Sequence, residues 1–316
     1  MRALHWDGSA LRLAELPVPV ADAATAVVRV HIAGVCNTDL ELIKGYMGFR
    51  GVLGHELVGT VTAGPAAWVG RRVVAEINFA CGRCAICVAG QPRHCPTRRV
   101  MGILGADGAF AEYVAVPVGN LHGVPEHLPD DSAVFVEPLA AAFEMLAQVR
   151  VEPGLASVVL GDGKLGLLAA QVLAQAGARV LAVGKHDDKL AILRARGIET
   201  VRLESWDHAR ADLVVEATGT AAGFSMAVGA TRPRGTLVLK STIAASTPLN
   251  LAPLVIDEIT VVGSRCGPFE PAIAALAEGR VDVRSLIAAR HGLRDGVEAF
   301  QHAAQPGVLK VLLAND

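Results

Sequence analysis

Four cysteine residues lie close together between residues 81 and 95, and their spacing suits a single metal ion. They are Cys81, Cys84, Cys87 and Cys95, in the polar segment CGRCAICVAGQPRHC. Zn²⁺ prefers four tetrahedral ligands, and closely spaced thiolates are a common way to supply them. The alternative is a disulfide cluster or a set of unrelated free thiols. Because four thiolates leave no open coordination position, the sequence predicts a zinc ion that stabilises a lobe of the fold and performs no chemistry.

A second candidate metal site is divided between two short segments, CNTD and GHE. Cys36 and His55 are good zinc ligands, and the adjacent Glu56 could be a third or an exchangeable ligand. The hydroxyl of Thr38 could pass a proton from an alcohol at this zinc toward solvent. Taken singly, Cys36 would be read as a small core residue and His55 as a buried, hydrogen-bonded histidine. The threonine favours the catalytic interpretation.

Two further acids each have two interpretations. Asp39 is a candidate partner that fixes the tautomer of the His55 imidazole, or an aspartate that caps a turn. Glu137 lies in the apolar run VEPL, where a charge is costly unless it is paired or bound to metal. It is therefore a candidate third ligand beside Cys36 and His55. The alternative is a glutamate at a helix start, followed by proline in the first turn.

Short runs rich in valine and broken by glycine and proline surround these candidate ligands. Residues 2–77 contain LRLAELP, AVVRVHIAGVC, LVGTVTAG and GRRVVAEI, and the pattern resumes up to about residue 125. Closely spaced strands of this kind predict a small β-rich domain. Residues 130–147 have a helical composition. Amphipathic helices are predicted from residue 269 to residue 304, before a last strand, GVLKVLL, that returns to the first domain.

The chain changes character at residue 156, where ASVVLGDGKLGLLAAQVLAQAGARVLAVG indicates strand, glycine-rich turn, helix and strand. Gly161 permits the tight turn, Gly163 lets a pyrophosphate approach the backbone, and Gly166 lets helix and strand pack closely. The helix N-terminus then faces the phosphate charge. Further strands in DLVVEATG, GTLVLKS and EITVVGS continue the alternation. The predicted fold class is α/β, with a doubly wound parallel Rossmann sheet of roughly six strands.

The residues after the second strand of this region indicate which dinucleotide it binds. An acid commonly occupies that position when the ribose is unphosphorylated, but this chain has Gly184, Lys185 and His186. A glycine leaves room for a 2′-phosphate, and the basic pair can neutralise it, which favours NADP(H) over NAD(H). In the alternative, the basic pair is solvated and Asp187 or Asp188 meets the ribose.

Composition excludes several functional classes. The 316 residues carry a formal net charge of −2 and contain no basic cluster with interleaved aromatic residues, which argues against a nucleic-acid partner. Residues 1–16 lack the apolar core of a secretory signal, and the longest apolar stretch, 165–184, is interrupted by polar residues, which argues against a membrane span. Six cysteines, four of them in one cluster, fit a reducing compartment, so we expect a cytoplasmic protein.

Five motifs occur in an order typical of one enzyme family: GVCNTD at 34–39, GHELVG at 54–59, the four-cysteine loop, EPLA at 137–140 and GDGKLG at 161–166. In these motifs, and along essentially its whole length, the chain resembles the zinc-dependent medium-chain dehydrogenases/reductases of the alcohol dehydrogenase superfamily. The resemblance implies a GroES-like catalytic domain at 1–137, with the lobe at 81–95, completed by 268–316, and a Rossmann domain at 138–267.

The same resemblance implies two zinc ions per chain, with the catalytic one on Cys36, His55 and Glu137 and with Glu56 as an adjacent or exchanging ligand. Glutamate followed by proline at the third ligand position is similar to the polyol, glucose and threonine dehydrogenase branch. Glu41 departs from the family pattern, because many relatives have a histidine there that completes the proton relay. The relay beyond Thr38 is therefore not assigned.

The activity that the resemblance implies is hydride transfer between NADP(H) and a secondary alcohol or its ketone, with a polyol, amino alcohol or cyclitol as substrate. The alternatives are zinc-independent reduction of enones or quinones, and a cofactor-binding protein without turnover.

Edge pairing of EITVVGS between subunits would give a homodimer or homotetramer. Relatives contact the nicotinamide end near Cys266, which by itself is most simply a small buried residue. The predicted cofactor-binding residues are Gly161, Asp162, Gly163, Lys164, Leu165, Gly166, Gly184, Lys185, His186, Thr218 and Cys266.

Overall fold

A computed structural model of the chain describes residues 1–241 and 249–315. The chain divides into two units. The first comprises Met1–Glu137, Ala272–Glu278 and Leu286–Asp316, and the second comprises Pro138–Pro271 and Gly279–Ser285. Within the described ranges, no helix combines the length and apolar character needed to cross a lipid bilayer.

Nineteen strands and ten α-helices are found in the described residues. The strands are β1 (Arg2–Trp6), β2 (Leu11–Glu15), β3 (Thr25–Gly34), β4 (Gly51–Val52), β5 (Glu56–Ala63), β6 (Arg72–Ala75), β7 (Asn78–Phe79), β8 (Arg99–Met101), β9 (Gly105–Ala106), β10 (Tyr113–Pro117), β11 (Leu121–Gly123), β12 (Ala156–Leu160), β13 (Arg179–Gly184), β14 (Glu199–Arg202), β15 (Ala211–Glu216), β16 (Thr231–Leu239), β17 (Thr260–Gly263), β18 (Ile287–Gly292) and β19 (Lys310–Ala314). The helices are α1 (Asn37–Leu42), α2 (Ala85–Val88), α3 (Asp130–Ala133), α4 (Val136–Gln148), α5 (Lys164–Gln175), α6 (Asp187–Arg194), α7 (Ala221–Ala230), α8 (Ala252–Ile256), α9 (Phe269–Ala277) and α10 (Gly296–Ala303).

The first unit is built on a seven-stranded sheet, in the order β11-β6-β5-β3-β19-β18 with β10 also paired to β3. Strand β3 is valine-rich and mostly buried, as expected of a strand that pairs with three others. Gly34, at the end of β3, lies opposite Glu56 at the start of β5 and opposite Leu312 of β19. The pairing therefore brings together three segments that are far apart in sequence. The predicted β-rich domain and its returning last strand are confirmed.

The second unit contains a six-stranded parallel sheet in the order β14-β13-β12-β15-β16-β17, which confirms the predicted Rossmann fold. Its central strands are nearly continuous runs of buried valine and leucine, the pattern of a parallel sheet covered on both faces. The strand order reverses on either side of β12. In such sheets, ligands bind outside the carboxyl ends of the strands at this point.

One secondary-structure prediction is wrong. The segment 269–304 is not helical throughout, because Ile287–Gly292 forms β18 between α9 and α10. The sequence of this strand, IAARHG, has one β-branched residue and no buried stripe, so it gives no strand signal of its own. It is a strand because its backbone pairs in parallel with β19, which no local pattern reveals.

Candidate metal and cofactor sites

Cys36, His55 and Glu56 are brought together by the end of β3 and the start of β5. Cys36 lies two residues beyond β3, and His55 directly precedes β5, so the antiparallel pairing of Gly34 with Glu56 places all three side chains at one end of the sheet. The cysteine Sγ, an imidazole nitrogen and a carboxylate oxygen all lie within 4.8 Å of one another. Cysteine, histidine and glutamate are the ligands that zinc accepts in catalytic sites.

One buried atom in this cluster indicates that a cation fits there. Glu56 is 1% exposed, and its Oε1 has no hydrogen-bond partner among the residues that the structure describes. Leaving a carboxylate oxygen buried and unpaired is costly. A zinc ion held by Cys36, His55 and Glu56 would remove that cost. Thr38 Oγ1 lies 3.7 Å from Cys36 Sγ, so a hydroxyl borders the same site.

Asp39 contacts the backbone of Cys36 and lies beside the His55 imidazole. Its Oδ2 accepts a hydrogen bond of 2.8 Å from the backbone N–H of Cys36, which caps the N-terminus of α1. Its Oδ1 lies 3.2 Å from His55 Nδ1 and also accepts a hydrogen bond from Gly54 N–H. The His55 contact is an ion-pair distance without regular hydrogen-bond geometry. Burial by itself lowers the pKa of His55, but the neighbouring Asp39 carboxylate raises that pKa well above its ordinary value.

Lys310 is a residue of this site that the sequence interpretation missed. It is 1% exposed, and its Nζ forms an ion pair with Glu56 Oε2 and lies 3.4 Å from the carbonyl oxygen of Val35. Burial alone would lower the pKa of Lys310, but the Glu56 carboxylate raises it above its ordinary value. A lone lysine inside the apolar strand VLKVLL could have given the signal, because a charge in such a strand needs a buried partner.

Glu137 is placed differently from the other proposed ligands. It lies in the first turn of α4, directly before Pro138, and is half-buried. It is not part of the group whose ligand atoms lie within 4.8 Å of one another. The glutamate grouped with Cys36 and His55 in the described residues is Glu56.

The four cysteines of the loop form a second cluster. Their sulfur atoms all lie within 4.8 Å of one another, with Cys84–Cys87 at 3.4 Å and both Cys81–Cys87 and Cys84–Cys95 at 4.0 Å. Sulfur ligands of a tetrahedral zinc are about 3.8 Å apart when each Zn–S bond is about 2.3 Å. All four are free thiols, so the disulfide alternative is not what the fold contains. Hydrogen bonds, chiefly from Cys81 N–H and the Thr97 hydroxyl, lower the pKa of Cys95 to about 6.

The glycine-rich turn after β12 has the geometry that a pyrophosphate needs. Gly161 has φ +116°, and a Cβ there would lie 2.6 Å from the carbonyl oxygen of Ala217. A Cβ on Gly166 would overlap the carbonyl oxygen of Gly161. Gly163, the N-cap of α5, has open space where a side chain would be. Lys164 and Leu165 follow in the first turn of that helix, where backbone N–H groups have no partner within the helix and suit an anion.

The structure at the end of β13 differs from the prediction that Gly184 leaves room for a 2′-phosphate. Gly184 does not leave an empty space, because a Cβ on it would lie 2.6 Å from Asp162 Cβ and Oδ2. The Asp162 side chain, which comes from the glycine-rich turn, occupies that volume. Lys185 and His186 follow Gly184 and are exposed.

The other predicted cofactor residues lie at the same edge of the sheet. Thr218 follows β15, and its backbone N–H and its hydroxyl both donate to Glu216 Oε1, at 2.7 and 2.5 Å. Cys266 follows β17 and is half-buried, not fully buried as its interpretation as a small core residue implies. Both residues are at carboxyl ends of parallel strands, where a dinucleotide is bound.

Models of zinc-type alcohol dehydrogenase domains match both units of the chain. Residues 22–126 match the model of the alcohol dehydrogenase GroES-like domain, and residues 165–278 match that of the zinc-binding dehydrogenase. A sorbitol dehydrogenase of Halalkalibacterium halodurans is 30% identical, over 95% of this chain and 94% of its own length. A zinc-binding dehydrogenase of Sinorhizobium meliloti 1021, solved bound to NADP, has a TM-score of 0.90 and 26% identity over 99% of this chain and 98% of its own. An alcohol dehydrogenase of E. coli CFT073, complexed with NADH, has a TM-score of 0.91 and 25% identity over 99% of each chain.

Proposed function

The chain belongs to the zinc-binding medium-chain alcohol dehydrogenases, an oxidoreductase family, and from this premise we propose that it oxidises a polyol, amino alcohol or cyclitol at a secondary hydroxyl, or reduces the matching ketone, with NADP(H). The observation that carries the proposal is the convergence of Cys36, His55 and Glu56 beside the Thr38 hydroxyl. A zinc ion bound there would act as a Lewis acid on the substrate oxygen, and the nicotinamide would take or give the hydride.

The residues around the ion hold and orient the ligands. Asp39 fixes the first turn of α1 through the backbone of Cys36 and faces His55 Nδ1, which leaves Nε2 as the nitrogen for the metal. Lys310 holds one oxygen of Glu56 and leaves Oε1 for the ion. We further propose that Glu137 is also a ligand of this zinc ion, with Glu56 as the ligand that exchanges with it. The cysteine loop would hold the second, structural zinc.

The substrate class is supported by the similarity to a sorbitol dehydrogenase over nearly the full length of both chains. The test is a panel of polyols, amino alcohols, cyclitols and the corresponding ketones, assayed with zinc-loaded protein by the near-ultraviolet absorbance of NADPH. We expect turnover with at least one polyol, and a higher kcat/KM for NADP than for NAD. Absence of turnover across the panel with both cofactors would refute the proposed substrate class.

Thr38 is proposed to accept the proton that leaves the substrate hydroxyl. Replacing it by valine keeps its shape and removes the hydroxyl, so we expect kcat to fall about 100-fold, the scale of one lost proton-transfer group. Thr38→Ser is the matched control and should keep most of the activity, while zinc content by elemental analysis should be unchanged in both variants. A Thr38→Val enzyme with unchanged kcat would exclude this role.

Self-association through β17 is also proposed. This strand forms one edge of the described six-stranded sheet. Val255 and Ile256, in the α8 segment just before it, are 78% and 77% exposed, and Val261 of the strand is 40% exposed. An open strand edge beside exposed apolar side chains is a usual pairing surface for a second copy, so a homodimer or a homotetramer is expected.

A further inference from the structure

The end of β13 lacks the acid that usually recognises an adenosine ribose. In dinucleotide folds an aspartate or glutamate about twenty residues after the glycine-rich turn accepts hydrogen bonds from the ribose. Here β13 ends at Gly184, and the next acids are in the first turn of α6. Asp187 is paired with Arg194 at 3.0 Å, and Asp188 is exposed.

Asp162, in the glycine-rich turn, supplies a carboxylate next to the end of β13. It lies between the first two glycines of the turn, is 8% exposed and fills the volume over Gly184 that a side chain of residue 184 would occupy. A larger residue at position 184 and the present Asp162 conformation are therefore mutually exclusive. The glycine at 184 and the aspartate at 162 are therefore complementary, and the carboxylate near the end of β13 comes from the turn.

The two carboxylate oxygens of Asp162 have different surroundings. Oδ2 accepts from Lys185 N–H at 2.6 Å and His186 N–H at 2.7 Å, and it lies 3.0 Å from His186 Nδ1. Oδ1 accepts no hydrogen bond from any residue in ranges 1–241 and 249–315. The Asp162 side chain is 11% exposed. Burial by itself would raise the pKa of Asp162, but the hydrogen bonds from His186 and Lys185 hold it below its ordinary value. The group is therefore a charged acceptor at neutral pH with one oxygen to spare.

We propose that Asp162 is the residue that recognises the adenosine ribose, with Oδ1 accepting a hydrogen bond from the 2′-hydroxyl of NAD(H). Lys185 and His186, exposed beside it, offer positive charge to a 2′-phosphate. This inference rests on the proposed dinucleotide site and refines it. The enzyme accepts both cofactors, and the carboxylate of Asp162 sets the share of NAD(H), because it binds a hydroxyl and repels a phosphate.

The test is the affinity of zinc-loaded protein for NADH and for NADPH, measured by fluorescence titration without substrate. In Asp162→Asn, which keeps the size and removes the charge, we expect NADH to bind about 10- to 100-fold more weakly, the range for one hydrogen bond to a charged group, and NADPH to bind as well as before or better. Asp188→Asn is the matched control. It removes an equal charge two residues beyond His186 and should change neither affinity more than about twofold, since exposed charges interact weakly.

Three results would overturn the inference. The first is an equal loss of affinity for NADH and NADPH in Asp162→Asn. The second is a loss of affinity for NADPH alone in that variant. The third is a loss of affinity for NADH in Asp188→Asn. If Asp162→Asn does not fold, the wild-type protein decides the question with 2′-deoxy-NADH, which should bind about tenfold more weakly than NADH and would contradict the inference if it bound equally well.

Lys185→Ala separates this inference from the NADP(H) proposal. It should weaken NADPH and leave NADH unchanged. If Lys185→Ala does not change the affinity for NADPH while Asp162→Asn still lowers the affinity for NADH, the NADP(H) proposal fails and the ribose inference holds.

Discussion

Replacing Cys36 by serine should lower kcat by about 10³-fold or more and should lower the zinc content by about one ion per chain. The thiolate is one of only three side chains in the Cys36, His55 and Glu56 cluster, and a neutral hydroxyl is a poor substitute for it. Lewis-acid stabilisation by a bound metal is worth several kcal/mol, and each 1.36 kcal/mol is a factor of ten in rate. The measurements are steady-state kinetics on the best alcohol of the panel and zinc content by elemental analysis.

Cys36→Asp is the matched variant for this experiment. A carboxylate is a zinc ligand, so this variant should regain the second zinc ion and part of the activity. Both variants should still fold, because Cys36 lies after β3 and outside the cysteine loop. Cys36→Ser should lose only the stabilisation that the bound zinc ion gives to the folded state. Full activity with two zinc ions in Cys36→Ser would show that the chemistry occurs elsewhere.

Lys310→Met should destabilise the first unit by about 3–5 kcal/mol, because it leaves the buried Glu56 carboxylate without its cationic partner. This loss of stability should make the amides of peptides from β3, β5 and β19 exchange about 200- to 5,000-fold faster. Peptides from β12 to β17 should be unchanged and serve as an internal reference. A bound zinc ion on Glu56 would offset part of the loss, so the effect should be larger in metal-depleted protein.

Two further variants test whether the loss of stability comes from the unpaired buried charge. Lys44→Met removes the lysine of a surface pair with Glu41, whose side chains are 68% and 43% exposed, and should cost less than about 1 kcal/mol. Adding Glu56→Gln to Lys310→Met removes the unpaired charge and should restore much of the protection. Unchanged exchange in the β3, β5 and β19 peptides of Lys310→Met would contradict the importance of this ion pair.

The sequence reveals features whose chemistry is local. Cys81 to Cys95 lie within one short loop, and Gly161, Gly163 and Gly166 lie in one turn, so their spacing alone predicts a metal site and a phosphate site. The valine-rich runs predict strands for the same reason, since their period needs no partner to be recognised.

The features that sequence analysis misses depend on contacts between distant residues. Lys310 and Glu56 are 254 positions apart and meet only because β19 and β5 both pair with β3. The sequence places Asp162 in the turn but does not give the direction of its side chain, which decides what occupies the space over Gly184. Strand β18 exists through its pairing with β19 alone.

The proposed chemistry requires a zinc ion bound by Cys36 and His55, with a glutamate as the third ligand. An anomalous difference map from crystals of the zinc-loaded enzyme, recorded on both sides of the zinc absorption edge, tests it directly. We expect two peaks per chain, one within the four sulfurs of the cysteine loop and one in contact with Cys36 Sγ and His55 Nε2, with Glu56 or Glu137 beside it. A single peak in the cysteine loop, with none at Cys36 in fully loaded and active enzyme, would exclude zinc catalysis at Cys36 and His55.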